Sequence, residues 1–415
     1  MRHFIFILGR EAFLAAAELQ AVLKRGVNHS DFIVDKNWVT IKSADDEKII
    51  GNLINILGGT IKIGVQVSDG NWQDSIVDDL EISPVRDVGI SVYGEKFDRA
   101  KVFEIKSKSS KKIRLVLPKA DGILNEAEIR ANKLLKTGRE YLVANNIAYK
   151  TLAVQDANAW AERDFGKPRS DAKSGMLPPK LARMMVNLAA SQNQKSKIKD
   201  QNDKSKLKNF ENCKLKIENY DFVVFDPFCG SGNVLIEAMM LGLNVVGSDI
   251  SERAVEDTKE NLIWLNQKLK IKNQNDRVKI KIEKKDATKL TANDLPKEDF
   301  VIVSEPWLGE PRRHKLTIEE EKIAVEEISK LYLDFLENFS RISNCKLQTA
   351  NCRLSLVFPL FELANGQKLS IFEKIVDKIK NFGYIIESQP FLYGRDYQIV
   401  KRQIVLLNLK RKTQS

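Results

Sequence analysis

Cysteine is scarce in this sequence, and the spacing of the few that occur excludes two of its common uses. Among 415 residues there are four cysteines, and no two of them form a CxxC pair beside a histidine cluster. The pattern supports neither a zinc site nor a disulfide framework, so we expect reduced thiols and no bound metal. The four are Cys213, Cys229, Cys345 and Cys352.

Long apolar runs are also absent. No stretch approaches the ~18 to 20 apolar residues of a membrane span, and the first residues, with Arg2, His3 and Glu11, do not form a secretory signal. A composition of 43% hydrophobic and 30% charged residues is that of a globular protein, and 415 residues suffice for two or three domains. We therefore expect a cytoplasmic protein with no membrane partner.

Positive charge is in excess. The 67 Lys and Arg residues outnumber the 56 Asp and Glu residues, which gives a net charge of +11 and a pI near 9.2. A polyanionic partner such as a nucleic acid fits this charge, but a merely basic surface fits it equally well. Charge alone leaves both alternatives open.

The chain divides into three regions by pattern. Residues 1–75 and residues 76–165 each combine strand-like segments with an apolar-periodic helix, which predicts two small α+β units. Residues 166–415 alternate strands and helices, as in an α/β domain with a mainly parallel sheet. Residues 191–219 interrupt this domain and are rich in Lys, Asn and Gln, so they are expected to be a flexible insertion, with a solvated helix as the alternative.

The stretch DPFCGSGNVLIEAMM predicts a buried strand, a tight glycine turn and a helix. Gly230 and Gly232 lack a Cβ, so a ligand can approach the backbone there. The next strand ends in Asp249, where a carboxylate would accept hydrogen bonds from two ribose hydroxyls. Leu235 stands where the G-x-G-x-x-G fingerprint has its third glycine, so a pyrophosphate is not expected.

Two more strand ends carry polar residues. The third predicted strand ends in Asp286, placed to bond an adenine amino group, and the fourth ends in Ser304, Glu305, Pro306 and Trp307. A glycine-rich loop, a ribose acid and an adenine acid at successive strand ends is the order found in S-adenosylmethionine-dependent methyltransferases. The residues predicted to bind this cofactor are Asp226, Phe228, Cys229, Gly230, Ser231, Gly232, Asp249, Ile250, Asp286 and Ala287.

Two further segments carry a family resemblance. The glycine loop together with SEPW at 304–307 resembles the amino-methyltransferases, whose motif is Asp, Asn or Ser, then Pro-Pro and an aromatic residue. The block QDANAWAERDFGKPRSDAKSGMLPPKLARMMVNLA, within 155–190, resembles the segment that precedes the catalytic domain in THUMP-containing tRNA guanine N2-methyltransferases acting at position 10. FIFILGREAFLAAAELQAVL, at 4–23, is similar to the opening of that family.

This resemblance covers nearly the whole chain apart from the insertion, and it implies an architecture. Residues 1–75 would be a ferredoxin-like α+β domain and residues 76–165 a THUMP-like RNA-binding domain. Residues 166–415 would be a Rossmann-like methyltransferase domain of the α/β class. Its sheet is expected to have seven mostly parallel strands in the order 3-2-1-4-5-7-6.

The resemblance also implies catalytic roles for Ser304, Glu305, Pro306 and Trp307. The first side chain and the backbone carbonyl of the second residue would hold the target amine, and Trp307 would stack on a base flipped out of its helix. The usual motif of the tRNA family is Asp-Pro-Pro-Tyr, and this chain departs from it at three positions. Ser304 has no carboxylate charge; Glu305 would either replace that charge or bond to local backbone.

Basic residues on both sides of the catalytic motif are predicted to contact substrate RNA, because phosphates are bound by Lys and Arg. A solvated loop is the alternative for the pair that follows Trp307. The predicted contacts are Arg163, Lys180, Arg183, Arg312 and Arg313.

Three functions remain open at this point. The first is S-adenosylmethionine-dependent methylation of N2 of a guanosine in tRNA, at position 10. The second is methylation of DNA or another RNA, of the N6-adenine type, and the third is a catalytically inactive RNA-binding relative. The pair of N-terminal units favours the first, with tRNA as the partner, whereas the motif departures keep the third open. A small activator subunit, the oligomeric state and the choice between mono- and dimethylation stay open.

Overall fold

The computed structural model describes residues 1–119, 121–170, 176–190, 222–268, 278–311, 314–346 and 351–410. The chain forms two compact units, Met1–Trp160 and Ala161–Ser415. The insertion expected at 191–219 lies outside the described residues. Within the described ranges, no helix is both long enough and apolar enough to span a bilayer.

The first unit is built on an eight-stranded sheet whose order is β2-β3-β1-β4-β8-β7-β5-β6. Its pairs are antiparallel except β5 with β6 and β5 with β7, which are parallel. The strands are β1 (Arg2–Leu8), β2 (His29–Asp35), β3 (Trp38–Ser43), β4 (Thr60–Gln66), β5 (Asp87–Tyr93), β6 (Arg114–Val116), β7 (Arg139–Ala144) and β8 (Ile147–Val154). The helices are α1 (Ala12–Leu23), α2 (Glu47–Asn52), α3 (Trp72–Ile82), α4 (Arg99–Lys108) and α5 (Glu126–Ala131), and α6 (Ala157–Phe165) follows.

The expected boundary near residue 75 falls in α3, which connects strands β4 and β5 of this one sheet. Strand β4 pairs with β8, so the two predicted N-terminal parts share one hydrogen-bonded ladder. Lys62 of β4 also forms a buried ion pair of 2.5 Å with Glu140 of β7. Burial lowers the pKa of Lys62, which the nearby Glu140 carboxylate opposes. Residues 1–160 therefore pack as one unit, and the ferredoxin-like and THUMP-like assignments within it stay predictions.

The second unit is an α/β domain around a nine-stranded sheet. Its strands are β9 (Val223–Asp226), β10 (Asn244–Asp249), β11 (Ile280–Lys284), β12 (Phe300–Ser304), β13 (Asn351–Glu362), β14 (Lys368–Ser370), β15 (Tyr384–Ile386), β16 (Phe391–Tyr393) and β17 (Val400–Lys410). Its further helices are α7 (Pro179–Ala189), α8 (Asn233–Met240), α9 (Glu252–Lys268), α10 (Ile318–Lys346) and α11 (Ile371–Asn381).

The topology of this sheet confirms the predicted methyltransferase fold. The main path runs β11-β10-β9-β12-β13-β17-β15, which is the order 3-2-1-4-5-7-6, and β14 and β16 add at the side. The first five strands of the path are parallel, and β17 is antiparallel to both of its neighbours. Because parallel strands end at the same edge, the residues after β9, β10 and β12 gather at that edge.

The central strands of this sheet are apolar, so they are buried in the middle of the second unit. All five residues of β12, FVIVS, are buried, as expected for a parallel strand covered on both faces. Aromatic rings of α10 fill one face: Phe335 and Phe339 stack with centroids 6.2 Å apart, and Tyr332 lies 4.5 Å from Phe358 of β13. This packing holds the carboxyl edge of the sheet in place.

Candidate active site

The glycine loop connects β9 to α8. Gly232 caps the helix with φ +85°, a left-handed conformation that favours glycine, and its amide donates to the Cys229 carbonyl at 2.7 Å. A Cβ on Gly232 would come within 3.1 Å of Thr258. Gly230 also has a positive φ of +51°, but no atom lies within 4 Å of where its Cβ would be. The loop is therefore tight against the protein at Gly232 and open above Gly230.

Asp249, the last residue of β10, is joined to this loop. Its Oδ2 accepts a hydrogen bond of 3.0 Å from the Gly230 amide, and its Oδ1 accepts one of 2.9 Å from the Ser251 amide. The neighbouring Ile250 is 67% exposed. The structure thus brings the predicted ribose acid and the predicted loop together beside an exposed apolar side chain.

Asp286, at the end of β11, has a local role. Its Oδ1 accepts hydrogen bonds from the Thr288 amide at 3.0 Å and the Thr288 hydroxyl at 2.7 Å, and the Lys289 ammonium lies 3.2 Å from Oδ2. These contacts cap the short 3-10 turn Ala287–Lys289. Contact with an adenine ring stays a prediction.

The segment Ser304–Trp307, called the SEPW segment below, begins in the interior. Ser304 is fully buried, and its hydroxyl donates to Oδ1 of Asp226 at 2.5 Å. The Phe228 amide donates to the same oxygen at 3.1 Å. Burial raises the pKa of Asp226 to about 7 against the weaker lowering effect of these bonds. The hydroxyl predicted to hold the target amine therefore donates its proton to a neighbouring strand end, and its role towards the amine stays a prediction.

Glu305 is paired with a residue from the last long strand. Its carboxylate accepts from Arg402 Nε at 2.6 Å and from Arg402 Nη2 at 3.4 Å. Both side chains are largely buried, at 15% and 10% exposure. Burial raises the pKa of Glu305, and Arg402 counteracts this. The carboxylate is held by Arg402 rather than by local backbone, and its predicted role in replacing the charge absent at Ser304 stays a prediction.

Trp307 has the exposure that a stacking residue needs. Pro306 is buried, whereas Trp307 is 40% exposed just past the strand end. An aromatic ring that stays partly in solvent at a sheet edge is available to a planar ligand. Of the SEPW segment, Trp307 is the residue whose position agrees best with its predicted role.

Two of the predicted RNA contacts are wrong. Arg183 of α7 is 1% exposed and Arg163 of α6 is 7% exposed. Both bind Glu237, a fully buried residue of α8, at 2.6 Å each. A guanidinium enclosed with a carboxylate in this way cannot reach a phosphate outside the protein, so the pair stabilises the helix that follows the glycine loop.

The other predicted RNA contacts differ from these two. Lys180 is half-buried, and burial, with the nearby Arg163 charge, lowers its pKa. Arg312 and Arg313 lie outside the described residues. None of the three is tested by its position.

The segment around α6 and α7 also supports the glycine loop directly. Lys167 contacts Asn233 and, at 3.3 Å, the Ser231 hydroxyl. Asn233 donates to the Leu177 carbonyl at 2.6 Å, and Asn261 of α9 donates to the Ser231 carbonyl at 2.8 Å. Burial lowers the pKa of Lys167 to about 8. These bonds fix the first turn of α8 and leave Gly230 uncovered.

Cys229, Phe228 and Ala287 contribute by packing. Cys229 is 4% exposed, and burial raises the pKa of its thiol, so it stays protonated. The Phe228 ring meets Phe335 edge to face at 5.2 Å, and Ala287 is 3% exposed in the same core. These three side chains pack in the interior next to the glycine loop.

Sequence reasoning missed Arg402 and Glu237. Glu237 is the one charged residue in the run NVLIEAMM, and that contrast was the available signal, whereas Arg402 stands between Lys401 and Gln403 in VKRQIVLL and gives no such contrast. A charge at such a position is buried only when a partner accompanies it. The partner is remote in the chain in both cases, so the signal does not identify it.

The chain is similar in sequence to known proteins. Residues 218–346 match the family model UPF0020, described as RMKL-like, methyltransferase domain. The chain is 25% identical over 292 residues to the tRNA (guanine(10)-N2)-dimethyltransferase of Pyrococcus abyssi, across 67% of this chain and 72% of that protein. It is 40% identical over 88 residues to the enzyme of the same name from Methanothermobacter thermautotrophicus, a match that spans 18% of that protein and 21% of this chain.

Solved structures give fold-level likenesses. A possible methylase from Clostridium difficile 630 is 12% identical, with a TM-score of 0.48, covering 100% of this chain and 99% of the other. SMU.472, a putative methyltransferase complexed with SAH, is 12% identical with a TM-score of 0.46 and the same coverage.

The predicted resemblance is confirmed by the curated relatives. They share the name tRNA (guanine(10)-N2)-dimethyltransferase, which is the family to which the sequence motifs were assigned. Residues 218–346 match a methyltransferase domain of the UPF0020, RMKL-like family, and the chain around them is similar to tRNA (guanine(10)-N2)-dimethyltransferases.

Proposed function

We propose that this chain transfers a methyl group from S-adenosylmethionine to N2 of a guanosine in tRNA, at position 10, in the cytoplasm. The observation that carries the proposal is the similarity over 292 residues to a tRNA (guanine(10)-N2)-dimethyltransferase, which reaches beyond the methyltransferase domain alone. An exocyclic amine as target also fits the hydrogen-bonding groups at the carboxyl ends of β9 and β12, from Asp226 to Trp307.

The residues at the glycine loop fit the proposed cofactor. The open space above Gly230 is a cradle that a Cβ would begin to fill, and the Asp249 carboxylate lies at its rim with Ile250 exposed beside it. When bound, S-adenosylmethionine supplies a methyl group activated by a sulfonium centre. Asp249 would accept hydrogen bonds from the ribose hydroxyls, and Ile250 would cover one face of the adenine.

The amine would be held by backbone and the base by stacking. Ser304 is fully buried and the Glu305 carboxylate is held by Arg402, so the acceptor that we assign to the amine is the Glu305 backbone carbonyl. An amine conjugated with a purine ring is a weak nucleophile until an acceptor holds its N–H groups. Trp307 would stack on the base, and alignment with the methyl group would supply much of the rate.

Mass spectrometry of nucleosides tests the proposal. Purified protein is incubated with tRNA and a methyl donor carrying a deuterated methyl group, and the digested tRNA is searched for labelled N2-methylguanosine and N2,N2-dimethylguanosine. Asp249→Ala serves as the control that should bind no donor, as calorimetry with S-adenosylhomocysteine would report. A label found only on adenine, or only with DNA, would replace the proposed substrate.

A second candidate, an RNA-binding relative without catalysis, is favoured by one observation. Ser304 is fully buried and the Glu305 carboxylate is held in an ion pair by Arg402, so both polar side chains of the SEPW segment are engaged within the protein. A protein that binds both donor and tRNA yet transfers no methyl group to any tRNA would support this candidate against the first.

A further inference from the structure

We propose that Arg402 is a positioning residue: through Glu305 it fixes the direction of Trp307, and through Met176 it ties that direction to the glycine loop. The pairing itself is a property of the fold, whereas its consequence for methyl transfer rests on the proposed function. Arg402 would not touch the substrate.

The contacts of Arg402 join three parts of the second unit. Its guanidinium holds the Glu305 carboxylate through Nε at 2.6 Å, and its Nη2 also donates to the Met176 carbonyl at 3.4 Å. Met176 in turn accepts from the Ser231 hydroxyl at its sulfur, 3.5 Å away. One side chain therefore links the end of β12, the start of β17 and the segment that lies on the glycine loop.

The local backbone transmits this anchoring to Trp307. Pro306 has a fixed φ, and a residue before proline is confined to extended conformations. Rotation between Glu305 and Trp307 is restricted, so holding the Glu305 side chain also limits where the Trp307 ring can point. Ser304, on the other side, is held by Asp226.

The chemistry of the pair suits positioning more than stability. A buried ion pair adds little net stability compared with apolar residues, but removing one partner leaves an uncompensated charge. Arginine binds a carboxylate through a planar fork that sets an angle as well as a distance, which an ammonium does not. Lysine at position 402 should therefore keep the charge and lose the orientation.

The sheet contains a matched control. Arg353 of β13 binds Glu387 through Nε at 2.6 Å, with exposures of 8% and 12%. Arg353 lies near the start of β13, whereas Arg402 pairs with Pro359 towards its end, so the two ion pairs lie towards opposite ends of the same strand. Arg353→Met removes a comparable buried pair without touching the SEPW segment.

The test follows Trp307 itself. The chain has five tryptophans, and after incorporation of 5-fluorotryptophan the Trp307 signal is assigned by its loss in Trp307→Phe. In the full chain, Arg402→Met and Arg402→Lys should shift this fluorine resonance, while Arg353→Met leaves it in place. Glu305→Gln, which keeps the side-chain shape, should shift it in the same direction and serves if Arg402→Met does not fold.

Two further measurements distinguish the positioning role of Arg402 from the proposed function. S-adenosylhomocysteine affinity should stay within about twofold, whereas methyl transfer to tRNA should fall by about 100-fold in Arg402→Met, as misplacement of reacting groups does. Arg353→Met should keep its turnover. An unmoved Trp307 resonance in Arg402→Met and Glu305→Gln overturns the inference, even if the wild type methylates tRNA. If the resonance shifts but the wild-type protein never methylates tRNA, the positioning role of Arg402 is supported and the proposed function is contradicted.

Discussion

At the scale of single residues, Asp226 is a carboxyl group whose protonation near neutral pH depends on the fold. It is 2% exposed, and burial raises the pKa of its carboxyl from 3.8 to about 7. Between pH 4 and pH 7 the folded chain holds a proton that the unfolded chain has lost. The stabilisation from this group is therefore complete below about pH 4 and is lost as the pH rises through 7.

Asp226→Asn should remove this pH dependence, because an amide keeps the shape and does not ionise. Relative to wild type, the free energy of unfolding of the variant should improve by about 2 to 3 kcal/mol between pH 5 and pH 8. Urea titrations of both proteins at the two pH values measure it. The same difference at both pH values would mean that Asp226 titrates normally in the fold.

Trp307 carries the second residue-scale prediction. Trp307→Ala should weaken binding of the target nucleotide by roughly 1 to 3 kcal/mol, the value of base stacking on an aromatic ring. Affinity for S-adenosylhomocysteine should not change, because the cofactor is proposed to contact the glycine loop and Asp249 rather than Trp307. Competition binding with tRNA and calorimetry with S-adenosylhomocysteine measure the two affinities. Trp307→Phe, which keeps a ring, should retain most of the tRNA affinity; an equal loss in both variants would argue against stacking.

At the scale of elements, α8 depends on a charge that its own residues do not balance. Glu237 is fully buried and binds Arg163 and Arg183 from two other helices. Glu237→Gln removes the buried carboxylate that pairs with both guanidiniums, which should cost about 3 to 5 kcal/mol of stability. Urea unfolding measures the loss.

The exposed pair between Glu260 and Arg169 provides the control for α8. Glu260→Gln should leave the unfolding midpoint nearly unchanged, because water replaces the lost partner. Equal effects of the two substitutions would show that the Glu237 cluster is solvated in solution.

At the scale of the whole molecule, the positive charge is unevenly distributed. Residues 1–160 contain 23 basic and 21 acidic residues, so this unit is nearly neutral, and most of the excess lies in residues 161–415. Within the first unit, residues 96–119 hold nine basic and two acidic residues, and all nine basic side chains are exposed around α4. This basic stretch is the part of the first unit best suited to phosphates.

Neutralising two charges of this stretch should weaken tRNA binding in a salt-dependent way. For Lys106→Gln with Lys112→Gln, the slope of log affinity against log salt should become shallower by up to about 2, because fewer cations are released. Fluorescence anisotropy over a salt series measures the slope. Lys374→Gln with Lys378→Gln on α11 removes the same charge elsewhere, and an equal effect there would mean that only net charge matters.

The order of the seven main strands was expected from the family resemblance, whereas the sequence by itself determined the glycine loop and the position of Asp249 relative to it. These features depend on local signals: apolar runs of strand length, glycines with positive φ, and an acid about one β-α-β step further on. The family resemblance rested on the same local stretches, and the curated relatives confirmed it.

Only the tertiary structure decided which charges face solvent and which are paired inside. Arg163 meets Glu237 across 74 residues and Glu305 meets Arg402 across 97, and no periodicity links positions so far apart. The local sequence around a basic residue in a helix is the same whether its partner is a phosphate in solution or a buried carboxylate. The free energy of a charge depends on its distance to partners and to water, and both are set when the helices pack on the sheet.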